Sequence, residues 1–193
     1  MITTLNQIRA HGPCADGWRK LLAHLGKTCA DDEPLPITTV LDSNGLDDAL
    51  WCLRAVPGHD REKRLYAVWC ARQVQHLLTD PRSMAALDVA ERHANGLASD
   101  DELDAASDVA WAAARAAAWP ARGAARAARD AWAAARSAAR AARDDAGFAA
   151  WDAAWDAMAA ACAAASDVAG DAAMDAQAAE LRRVCAQVLG RLA

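Results

Sequence analysis

The sequence predicts an all-α protein, and three observations carry that prediction. Apolar residues recur at helical spacing in nearly every segment, and no stretch alternates like a strand beyond a few residues. Start and stop signals punctuate the chain, with capping boxes at Thr4/Gln7 and Ser99/Glu102 and breakers at Pro13, Gly26, Pro57-Gly58 and Asn95-Gly96. The second half is dominated by alanine, the residue that loses least on entering a helix.

Taken in order, Thr4 opens a short first helix, and Pro13 precedes a second that carries "CADGWRKLLAHLG" and stops at Gly26. Residues 27–36 connect. Pro36 opens a third helix through Leu41 and Asp42, and "SNG" separates it from a fourth with Leu46, Ala49, Leu50 and Leu53 on one stripe. Residues 59–78, "HDREKRLYAVWCARQVQHLL", are apolar on almost every side after a charged start, which predicts a buried central helix. His59 and Asp60 read as its N-terminal cap and dipole partners. Asp80 with Pro81 starts the next helix, which closes at Asn95-Gly96. Ser99 and Glu102 then begin a long helix whose first turn, with Asp100, Asp101 and Asp104, suits the positive end of the helix dipole. These boundaries divide the chain into an amino-terminal bundle of short helices, 1–97, and an Ala-rich long-helix region, 98–193, packed on it as one structural unit.

Composition limits the function classes. The chain has 193 residues, 54% of them hydrophobic, but alanine inflates that share and buries little area per side chain. Eight Trp against one Tyr and one Phe leave the large contacts of the second half mainly to indoles. A net charge of −5 gives no overall attraction for nucleic acid. No basic and apolar leader is visible at the amino terminus, and charge interrupts the alanine tract too often for a membrane span, so a cytoplasmic protein is expected. The six cysteines are widely spaced and read as reduced, mostly buried small apolar residues.

From Asp108 the sequence repeats itself. "AWAAAR" occurs at 110–115 and 131–136, and "GAARAARD" from Gly123 matches "SAARAARD" from Ser137, all at offsets that are multiples of seven. Arg122, Arg126, Arg129, Arg136, Arg140 and Arg143 fall within one arc of about 100° on a helix whose opposite face is alanine. Beyond Asp144 the charges turn acidic as far as Glu180. Phe148, Trp151, Trp155, Met158 and Cys162 follow a 3,4,3,4 spacing that predicts an apolar seam, with Asp145, Asp152, Asp156 and Asp167 on a neighbouring face. A turn at "DDAG", 144–147, would fold the arginine helix antiparallel to the acidic helix, with Trp111, Trp132, Trp151 and Trp155 packed against alanine. Asp167, Asp171 and Asp175 recur at i, i+4 and i+8, about 6 Å apart along the axis, which admits a DNA-mimic reading that the modest net charge weakens.

Catalytic signals are sparse. His11-Gly-Pro-Cys14 spaces two ligand types as half a zinc site, with His24 and Cys29 as the nearest recruits, but no second pair with ligand spacing follows. No nucleophile elbow, phosphate-binding glycine loop or H-E-x-x-H motif occurs, and an enzyme would need a pocket lined by His59, Cys70 or His76. The expectation is a non-enzymatic chain without metal or cofactor. The candidate binding residues are the six arginines together with Asp152, Asp156, Asp167, Asp171 and Asp175.

The segment "LDDALWCLRAVPGHDREKRLYAVWCARQVQHLLTDPRSMAALDVAERHANG", 46–96, combines an arginine-bearing helix, a "DPR" helix start and an acidic opening to the following helix, ahead of Ala/Trp/Arg repeats. In these features it resembles small uncharacterised proteins of bacteria and phages and, distantly, the helical immunity proteins of toxin systems. The resemblance implies a helical fold and the genetic setting of such systems. The absence of chemistry beside a densely specified helix surface adds the expectation of a protein partner, a toxin or a component of a defence system, in the manner of immunity proteins or anti-CRISPR inhibitors. A structural or self-associating helical module is the alternative, and nucleic acid and membranes are disfavoured as partners.

Overall fold

A computed structural model of the chain describes residues 1–78, 80–117, 130, 133–134, 146–164 and 167–191, without the side chains of 110–117, 146, 148–149, 151, 161–164 and 167–168. It is mostly helical. In chain order the elements are β1 (Ile2–Thr3), α1 (Leu5–Ala10), α2 (Ala15–Leu25), β2 (Leu35–Pro36), α3 (Ile37–Asn44) and α4 (Leu46–Cys52). A 3-10 turn (Leu53–Ala55) leads to α5 (Asp60–Gln73), and a second (Gln75–Leu77) to α6 (Pro81–Ala94). Then come α7 (Asp100–Ala117), α8 (Ala146–Ala164) and α9 (Asp167–Gly190).

The capping signals act as their chemistry requires. Thr4 Oγ1 accepts from the Gln7 N–H, Gly26 closes α2 in the left-handed region, and Asp80 accepts from the Arg82 N–H ahead of Pro81. At Ser99 the box is reciprocal: the Ser99 N–H donates to Glu102 Oε2 at 2.9 Å and the Glu102 N–H to Ser99 Oγ at 3.2 Å. At Thr4 it is only half formed, because Gln7 Oε1 lies 3.1 Å from the Thr3 hydroxyl instead. Gly45, at φ +98°, makes the corner between α3 and α4.

One feature is added to the expected helices and two local expectations are corrected. Ile2–Thr3 pairs antiparallel with Leu35–Pro36, a two-residue ladder too short to leave an alternating pattern in the sequence. The central helix stops at Gln73 instead of running to Leu78, and the chain turns through a tighter 3-10 segment before the Asp80 cap. His59 occupies the position before α5 with left-handed backbone but makes no side-chain capping bond.

α5 is the centre of the molecule. Its Tyr66, Ala67, Cys70 and Ala71 are fully buried, and it packs against α6, α8 and α9. Lys63 is buried as well, and its ammonium donates to the Val56 carbonyl at 2.7 Å, which ties α5 to the preceding turn. The longest contact is with α8, whose buried positions are Gly147, Ala150, Ala153, Ala154, Ala157 and Ala160. These small residues form one helical stripe. The seam expected at Phe148, Trp151, Trp155, Met158 and Cys162 is not the core side where it is described: Trp155 is 53% exposed and Met158 half-buried. The physical reason is distance, since helices that meet through alanine and glycine approach too closely to admit an indole between them.

Of the turn expected at 144–147 only Ala146 and Gly147 are described, as the first residues of α8, and the hairpin with the arginine helix lies outside the described residues. A Cβ on Gly147 would come within 2.5 Å of the Leu53 carbonyl carbon and 2.6 Å of the Arg54 nitrogen. The fold-back among described residues is between α8 and α9, which run antiparallel: the Gln177 amide donates to the Ala154 carbonyl at 2.9 Å, and Ala157 shares a cavity with Ala169, Ala173 and Ala176 nearer the connection. Of the arginine tract only Asp130, Ala133 and Ala134 are described, and Ala134 is fully buried in the core. The break expected at Pro120 and Gly123 lies outside the described residues.

Two outcomes follow for stability. Gly147→Ala should destabilise the protein by about 2 kcal/mol or more, despite a gain of about 1 kcal/mol in helix propensity, because backbone cannot rotate away from the new methyl. Gly190→Ala, with no atom within 4 Å of its Cβ, is the control that should be neutral or stabilising in urea denaturation. The Ser99 N–H, partly opposed by desolvation, holds the Glu102 carboxyl below its ordinary value of 4.5, with Arg92 assisting. A depressed folded pKa means a contribution complete above about pH 4.5 and lost as pH falls through the lower folded value. Glu102→Gln should therefore lower Tm at neutral pH and narrow its gap to the parent in acid, and a gap that is constant with pH would refute the assignment.

Candidate functional site

α9 presents its buried stripe of Gly170, Gln177, Glu180, Leu181, Val184 and Val188 inward, and this sets which of its other side chains face out. Asp171 and Asp175 are exposed one turn apart, with Met174 between them 39% exposed. Across from Met174, on α8, Trp155 and Met158 border a shallow groove shared with Leu46, Asp47 and Leu50 of α4. The result is an indole and two thioethers at the surface with carboxylates nearby.

The backbone beneath this face is held firmly. Gln177 is buried, its amide bonds α8 and its carbonyl accepts from the Tyr66 hydroxyl at 3.2 Å, so α5, α8 and α9 are linked through one residue. Burial pushes the Tyr66 hydroxyl well above its usual range, and it stays a neutral donor. Arg182 pairs with Asp42 at 2.6 Å and fastens α9 to α3, while Arg191 pairs with Glu62 of α5 at 2.8 Å.

Of the candidate binding residues, Asp171 and Asp175 share an exposed face, whereas Asp152 and Asp156 on α8 are half-buried. Asp167 begins α9, but its side chain is outside the described residues, as are Arg122, Arg126, Arg129, Arg136, Arg140 and Arg143 altogether. Trp111, Trp132 and Trp151 are likewise not described in their side chains. Exposed Trp155 and Met174 were not anticipated as surface residues. The available signal was the run of alanine at 150, 153, 154 and 157, which offers α8 a second, smaller face to bury.

The residues weighed for chemistry are placed apart. The Cys14 thiol accepts from the Gly17 N–H at 3.3 Å as the cap of α2, and His11 is exposed. Among the described residues, no three His, Cys, Asp or Glu side chains converge as a metal site requires. Cys70 is fully buried, and His76 lines an alanine-walled cavity of about 310 Å³ with Gln73, Val74 and Leu77. Cys52 and Cys185 are buried, while Cys14 and Cys29 are exposed. Burial, with Asp48 adding to it, pushes the Cys52 thiol up to about 12.

No significant match to this chain is found among protein-family models, curated proteins or solved structures. No helix among the described residues is long and apolar enough to cross a membrane.

Site-resolved alkylation checks the thiol environments. Peptide mapping after brief iodoacetamide treatment should find Cys14 and Cys29 modified and Cys52, Cys70 and Cys185 protected until denaturant is added. Early modification of Cys70 would contradict the packing of α5.

Proposed function

We propose that this chain is a non-enzymatic binding protein that inhibits another protein, of the toxin-immunity or anti-defence kind exemplified by anti-CRISPR inhibitors. The observation that carries the reading is the exposed Trp155–Met174 face, with Asp171 and Asp175 beside it, on helices α8 and α9 that are rigidly cross-linked below. Tryptophan is the side chain most enriched where interfaces concentrate their energy, and methionine adapts to irregular partner surfaces. The carboxylates suit a partner that offers basic residues around an apolar anchor and penalise one that does not. The toxin or defence setting is supported by the resemblance of residues 46–96 to helical immunity proteins.

Self-association is the competing use of an exposed indole, and the same variants separate the two. Trp155→Ala with Met174→Ala should lower Tm by only a few degrees and keep unfolding cooperative, since neither side chain belongs to the fully buried core. In sedimentation at micromolar concentration the parent should be monomeric, and in cross-linking with extract of its host it should capture a basic protein that the double variant and Asp171→Lys/Asp175→Lys both lose. A parent dimer abolished by Trp155→Ala would overturn the inhibitor reading in favour of the self-associating module.

A further inference from the structure

α4 also borders a second cleft, between α2 and α3, with a volume of about 220 Å³. Ile8, Leu21, Val40 and Cys52 make it apolar, and Trp18 and Trp51 supply two indoles. The Arg54 guanidinium already sits 4.5 Å from the centre of the Trp51 ring, so this aromatic system accepts a cation. Its polar lining includes Asn44, Asp47 and Asp48, and Asp48 is the carboxylate held in place. Asn44 Nδ2 donates to Asp48 Oδ2 at 2.7 Å and to the Gly17 carbonyl at 2.8 Å, spending both its hydrogens to hold the carboxylate against α2.

Two features set this carboxylate apart from an ordinary surface aspartate. Among the described residues no Lys, Arg or His lies within ion-pair distance of Asp48, although it is half-buried. Its seat depends on a glycine inside a helix: a Cβ on Gly17 would stand 2.7 Å from Asp48 Oδ2 and 3.1 Å from Cys14 Sγ. α2 thus forgoes helix propensity at a position whose glycine makes room for the charge. A half-buried carboxylate with no ion-pair partner among the described residues, in a cleft with aliphatic and indole side chains, is complementary to a positive charge on an apolar body.

We infer that this cleft binds a small organic monocation, an arylalkyl ammonium whose charged head pairs with Asp48 and whose ring lies among Trp18, Leu21 and Val40. The ligand needs no help from the α8–α9 face, so its binding stands or falls independently of the partner proposed there. Three compounds of nearly one shape separate charge from shape: 2-phenylethylammonium, 2-phenylethanol and phenylacetate. Their affinities are read by calorimetry, and the site by the indole N–H signals of Trp18 and Trp51 in ¹H–¹⁵N spectra. The cation should bind about tenfold or more tighter than the alcohol, the size expected of one charge-assisted hydrogen bond, and the anion weakest of all. Asp48→Asn should erase that preference while leaving the alcohol's affinity unchanged. Equal affinity of the parent for the three compounds, no binding of any, or movement of other indoles in place of Trp18 and Trp51 would each overturn the assignment. This comparison uses the parent chain alone, and so decides the matter even if Asp48→Asn folds poorly.

Discussion

The close approach of α8 to α5 and to the turn before it is the constraint on which the other packing depends. Gly147 lies against the Leu53 and Arg54 backbone, and alanines continue the same stripe along α8 for three further turns. α5 itself buries two alanines, Ala67 and Ala71. Each alanine buries little area, so the stabilisation comes from the number of atoms brought to van der Waals distance by two backbones at short range. Such an interface is sensitive to single methyl groups in a way that an interface of leucines, with rotamers to yield, is not.

That choice of contact displaces the large residues. With the inner face of α8 taken by small side chains, Trp155 is left at the surface and Met158 at a groove edge, where Met174 of α9 joins them. At the described positions α8 buries its alanine stripe and turns Trp155 and Met158 away from the core, so that Trp155 is half-exposed. The link from packing to function is therefore steric: the tighter the α5–α8 contact, the less room the core has for indoles.

Polar cross-links then fix the register that the featureless alanine surfaces leave open. Gln177 joins α9 to α8 and receives Tyr66 from α5, Arg182 reaches Asp42, and Lys63 anchors the turn at Val56. Buried hydrogen bonds of this kind penalise alternatives more than they stabilise the native state, because sliding one helix by a residue would leave an amide or an ammonium unsatisfied. Alanine faces tolerate several registers, whereas these side chains tolerate one. The α8–α9 face inherits its geometry from this arrangement.

The sequence by itself determined what local chemistry controls: the helical class, the caps at Thr4, Asp80 and Ser99, the stops at Gly26 and Gly96, and a buried helix around Tyr66 and Cys70. These depend on hydrogen bonds and backbone angles within a few residues, and so are legible residue by residue. It was silent on the two-residue pairing of Ile2–Thr3 with Leu35–Pro36, and at Trp155 and Met158 it pointed to the wrong face of α8. Hydrophobic spacing ranks a tryptophan stripe above an alanine stripe on the same helix, yet which one is buried depends on how near the neighbouring backbone comes. The exposure of Trp155 and the seat of the Asp48 carboxylate were legible in no local pattern for the same reason. The first is set by the packing of α8 on α5 and α9 and the second by α2, whose Gly17 stands against Asp48, and only the tertiary structure brings those elements to a fixed distance.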